Sequence, residues 1–126
     1  MSAAGIKMNV PATAANVPTV RAAVSRFVNE HWPEACRDGA DIALAVTEAC
    51  SNAVQHAYPA GAGEMTITSR VRDHHLTIRV RDHGSGIATP SVNPGLGVGV
   101  KLIHALSEAT ITSTARGTSV VLRFAL

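Results

Sequence analysis

Aromatic side chains are scarce in this chain: one Trp, one Tyr and two Phe among 126 residues. A core must therefore come mainly from Ala, Val, Ile and Leu, and few side chains are left to stack on nucleobases. Cysteine is nearly as rare. Cys36 and Cys50 lack CxxC spacing, which excludes a disulfide framework and fits a reduced, cytoplasmic compartment. No apolar run approaches the length that crosses a bilayer. The opening MSAAGIKMNVP has neither the basic head nor the apolar stretch of a secretory signal. Neither sign of charge dominates; a formal +2 is too small to argue for a nucleic-acid partner. Two nucleotide signatures are also missing. There is no GxxxxGK(S/T), and GLGVGV is not GxGxxG and follows no strand.

What is present suits one compact domain, 1–126, with 46% apolar residues. Ile6 to Val10 reads as a short strand stopped by Pro11. Asn16 is placed to cap a helix from about Val17 to Trp32, with Pro18 in its first turn and Val20, Val24, Phe27 and Val28 at helical spacing. Asp38 opens a second helix reaching Ala57, with an apolar stripe of Ile42, Val46, Ala49, Ala53 and Ala57. Residues 64–72 and 76–82 alternate around an Asp73-His74 turn, an antiparallel hairpin. A third helix is expected over about 97–106. Strands near 109–114 and 119–126 follow, joined at Arg116-Gly117. Strands with one wet face and amphipathic helices predict an α+β, two-layer α/β sandwich. Its sheet is mixed and mostly antiparallel, with the helices packed on one face.

Several residues are placed for chemistry. Glu48, Asn52 and His56 lie four apart and climb one side of the second helix, away from its apolar stripe. Taken alone, that triplet is better explained as a plain solvated face, since polar residues on an exposed helix side need no special role. Asp82 shares parity with Leu76, Ile78 and Val80, so it points inward, where a carboxylate is costly unless a donor meets it. A purine amine would serve; so would the backbone of a tight His83-Gly84 turn. Gly84 and Gly86 follow directly and permit close backbone approach to a flat ligand. Gly95, Gly97 and Gly99 lead into a helix whose first amides would favour phosphate, with Lys101 adding charge. Flexible loops use the same residues.

His74, His75 and His83 lack zinc spacing and read as a solvated turn. Cys50 reads as a packed core thiol. Arg70, Arg72, Arg79 and Arg81 make a basic sheet face without aromatics, either solvated or an interface.

In order, the chain contains EACSNAVQHAY (48–58), RDHGSGI (81–87), GLGVGVKLI (95–103) and RGTSVVLRF (116–124). This series resembles the GHKL (Bergerat-fold) superfamily, which includes gyrase-type ATPases and histidine-kinase catalytic domains. It is most similar to the small anti-sigma-factor serine/threonine-protein kinases of the RsbW type. The resemblance covers nearly the whole chain. It implies ATP and Mg2+ as cofactors, with Asn52 on the metal and Glu48 as general base or as the group that orients the attacking hydroxyl. Asp82 would accept from the adenine amine with help from Thr118. Gly84 and Gly86 would close over the base, and Gly95, Gly97 and Gly99 would hinge a lid and give amides to phosphate. It further implies an anti-anti-sigma (STAS-type) protein phosphorylated on serine, a sequestered sigma factor, and a homodimer, without nucleic acid or membrane. The lid segment, Ala88 to Pro94, is short and contains no Arg or Lys. That departure supports an alternative, a non-catalytic ATP-dependent binding module.

Overall fold

The computed structural model describes residues 4–31, 39–57, 63–84 and 107–125. Strand β1 (Ala4–Pro11) leads into helix α1 (Asn16–His31). Helix α2 (Gly39–Asn52) runs on into a π-helical turn (Ala53–Ala57). Strands β2 (Glu64–Arg72), β3 (His75–Asp82), β4 (Glu108–Thr114) and β5 (Gly117–Ala125) follow. The sheet order is β1-β2-β3-β5-β4. The sheet expected to be mostly antiparallel is antiparallel at each of these pairings. The expected third helix, about 97–106, lies outside the described residues.

Alternation makes the strands. Along β2, Met65, Ile67 and Ser69 are fully buried, while Thr66, Thr68 and Arg70 face away. Along β3, Leu76, Ile78, Val80 and Asp82 are buried. Asp73 and His74 both have positive φ, 51° and 60°, the geometry of a two-residue turn whose twist matches the flanking strands. Val120, Leu122 and Phe124 continue the buried layer on β5.

The helices close this layer from one side. Val20, Val24, Phe27 and Val28 of α1 and Ile42, Ala45, Val46, Ala49 and Cys50 of α2 bury into the same core. That core is almost wholly aliphatic, as the shortage of aromatics requires. The start of α1 differs from the expected cap. The Asn16 amide Nδ2 turns back and donates to the Pro11 carbonyl at 2.9 Å and to Thr13 Oγ1 at 3.1 Å, pinning the loop rather than the first helical turn. At the other end, His31 Nδ1 meets the Phe27 carbonyl oxygen at 3.0 Å, engaging an acceptor of the last turn.

Candidate functional site

The site is built at the end of β3. Period-two alternation carries Asp82 to the helix side of the sheet, where it is 5% exposed. Its Oδ1 accepts two backbone hydrogen bonds, from Gly84 N at 3.0 Å and from Thr118 N at 3.1 Å. The first closes a short turn two residues on. The second crosses to β5. The turn-capping reading of Asp82 is therefore correct, and the carboxylate also ties two hairpins together. Both bonds fall on one oxygen, which fixes the plane of the group and turns Oδ2 into the remaining acceptor.

Gly117 makes this junction possible. Its φ is +137°, and a Cβ there would overlap the Asp82 carbonyl oxygen and lie 3.0 Å from the Asp82 carbonyl carbon and from His83 Cα. Only glycine lets β5 start this close to the end of β3. Thr118 is buried beside it. Its hydroxyl pairs with Ser113 Oγ at 3.0 Å while its amide holds Asp82. The family resemblance put Thr118 beside Asp82; in the structure the contact between them is made by its main-chain N–H.

Glu48 and Asn52 are half-buried on α2, one turn apart. The π-helical turn that begins directly after Asn52 packs against β3 and β5, the strands that carry Asp82 and Thr118. The C-terminal end of α2 is thus held against the same two strands. Sequence periodicity did not reveal this π turn, a local feature frequent at functional sites. His56 falls within it, and its side chain lies outside the described residues, as do Gly86, Gly95, Gly97, Gly99 and Lys101.

Among the described residues, no group of three His, Cys, Asp or Glu could hold a metal ion by itself. A single amide oxygen from Asn52 fits a different arrangement, in which a hard cation takes most ligands from water and phosphate oxygens. Cys50 is buried on α2, and that burial pushes its thiol up to about 12, so it stays neutral and unreactive. It belongs to the core, as its position beside the apolar stripe indicated. No helix among the described residues is long and apolar enough to cross a membrane.

The pattern of the histidine kinase-like ATPase domain matches residues 10–124. A serine-protein kinase RsbW of Bacillus mycoides is 38% identical over 79 residues, 63% of this chain and 49% of the relative. A serine-protein kinase RsbW of Bacillus cereus is 34% identical over 92 residues, 73% of this chain and 57% of the relative. The chain spans about half the length of the curated relatives it matches. With a five-stranded antiparallel sheet, helices on one face and a match over nearly all of its residues, the chain belongs to the histidine kinase-like ATPase domain family, the GHKL superfamily.

Proposed function

We propose that this chain binds Mg-ATP and phosphorylates a serine of a small anti-anti-sigma partner of the STAS type. In the same reading it sequesters a sigma factor and works as a homodimer in the cytoplasm. The single observation that carries this is the buried Asp82 carboxylate, oriented through one oxygen by two backbone amides. An adenine amine would donate to the other oxygen. The similarity to serine-protein kinases supports the transfer chemistry.

Phosphoryl transfer asks the protein mainly for positioning and charge neutralisation. Asp82 holds the base, with Thr118 behind it. Gly84 and Gly86 let the backbone approach the ring. Gly95, Gly97 and Gly99 direct amides to the phosphates, and Lys101 adds a positive charge. Asn52 would hold Mg2+, which when bound neutralises the phosphate oxygens. Glu48, one turn away, takes the proton from the attacking serine hydroxyl. The serine oxygen forms its bond to the γ-phosphorus as the bond to the β,γ-bridging oxygen breaks, and ADP leaves with that electron pair.

Incubation with Mg-ATP carrying labelled γ-phosphate and its cognate anti-anti-sigma partner should label one serine of that partner. An intact, ATP-binding preparation that labels nothing overturns the kinase reading. The short 88–94 segment without Arg or Lys favours a second reading, an ATP-dependent binding module. Glu48→Ala separates the two: a kinase loses transfer, whereas a binding module keeps its nucleotide-dependent hold on the partner.

A further inference from the structure

The sheet face turned away from the helices carries a charge pattern that nucleotide chemistry does not use. The strand registers set Lys7, Thr68 and Arg79 in one row across β1, β2 and β3. Thr66 and Arg81 form the next row one way, and Arg70 and Thr77 the next row the other way. These side chains line a shallow groove of about 400 Å³. Lys7, Arg70, Arg79 and Arg81 are all exposed. Among the described residues the one ion pair of Lys or Arg is Arg72 with Asp73, at the hairpin turn and outside the groove. Across the same face Arg123 stands opposite Glu108 in the β4–β5 register, so that corner carries its own counter-charge. The groove carries none.

A sheet needs only a wettable outer face, and the threonines already supply one. Four like charges on adjacent strands repel each other, and an anionic partner would relieve that repulsion. Arg79 and Arg81 are alternate residues of one strand, about 7 Å apart. Alternate side chains of an extended acidic segment repeat at the same distance. Guanidinium forks take carboxylates in two-point contact, and threonine hydroxyls between them can bond peptide groups. No aromatic side chain lies in these rows, which leaves nucleobases nothing to stack on. A second copy related by a two-fold axis would set this cationic patch against itself.

We propose that this outer face docks an acidic, extended segment of a partner protein across β2 and β3, held by Lys7, Arg70, Arg79 and Arg81. The test is fluorescence polarisation with a labelled octaglutamate peptide and, in parallel, a labelled oligothymidylate of similar charge. The peptide should bind, and bind more weakly as salt screens the pairs. Arg79→Glu with Arg81→Glu should weaken it about tenfold or more, since attraction becomes repulsion at two positions. Arg79→Gln with Arg81→Gln should give a smaller loss in the same direction and decides the matter if the reversed pair does not fold. Arg21→Glu with Arg26→Glu, exposed on α1, should change affinity less than about twofold. The proposal fails if the peptide does not bind, or if the α1 pair costs as much as the β3 pair. It also fails if the oligothymidylate binds more tightly than the peptide. Self-association in sedimentation that the β3 pair abolishes would overturn it too, by assigning the face to a second copy.

Discussion

Asp82 has a structural task and a proposed ligand task on one side chain, and two substitutions separate them. Asp82→Ala removes the acceptor of both the Gly84 and the Thr118 amides and strands the latter inside the protein. A hydrogen bond to a charged acceptor contributes about 1.5–3 kcal/mol, and an orphaned buried donor costs about 1–3 kcal/mol. Allowing for water reaching the half-buried Gly84, Asp82→Ala should lose about 2–4 kcal/mol of stability. Asp82→Asn keeps an oxygen for both amides and loses only their charge assistance, so it should lose about 1–2 kcal/mol. Its new NH2 group, however, takes the place of Oδ2, where the adenine amine would donate. Two donors then face each other, and ATP affinity should fall by well over about tenfold.

Urea denaturation measures the first pair of numbers, and calorimetry with Mg-ATP on Asp82→Asn measures the last. A folded Asp82→Asn protein that binds ATP as tightly as the wild type would leave Asp82 as a turn and hairpin tie only. An Asp82→Ala protein as stable as the wild type would refute the claim that the two amide bonds support the fold.

Gly117→Ala should destabilise by more than about 2 kcal/mol in the same urea experiment, because both its positive φ and its contact with the Asp82 carbonyl must be relieved by moving backbone. Ser69 is fully buried, and among the described residues its hydroxyl has no hydrogen-bond partner. Ser69→Ala should therefore gain about 0.5–2 kcal/mol, and a loss of stability would show that the hydroxyl is satisfied in solution. Burial raises the Cys50 thiol from 9.0 to about 12, so the unfolded chain releases this proton first. Between about pH 9 and 12 the wild type should lose stability relative to Cys50→Ala, by up to about 1.4 kcal/mol per pH unit; parallel stability curves would rule out the burial effect.

The hairpins and the inward position of Asp82 were legible because a period of two leaves no freedom: once Leu76 faces the core, so does Asp82. The helix stripes were legible for the matching reason at 3.6 residues. Three local features were not. The π turn after Asn52 is one turn long and leaves no repeat to detect. Asn16 was read as a cap from its residue type, but type alone does not tell whether an amide turns forward to the helix or back to Pro11. The need for Gly117 depends on a carbonyl 35 positions earlier, at Asp82, and becomes visible only when β5 lies beside β3. The same insertion of β5 between β3 and β4 brings the Thr118 amide to Asp82. Glu48 and Asn52 lie one turn apart on α2, as their spacing of four requires, and the turn that follows contacts β3 and β5.

These features make turn-capping and ligand-binding readings of Asp82 complementary. A carboxylate that only capped a turn would need the Gly84 amide alone. The second bond comes from a different hairpin, and it is available only because Gly117 lacks a side chain at the crossing point. Holding both donors on Oδ1 restricts rotation of the group, so Oδ2 keeps a fixed direction without any ligand present. A recognition group fixed beforehand loses less entropy on binding than one that must be ordered by its ligand. In the proposed reading, the same tie that stabilises the sheet would therefore also prepare the site. Substitutions at Gly117 should for that reason weaken ATP binding even in molecules that remain folded, although no atom of Gly117 need touch the nucleotide.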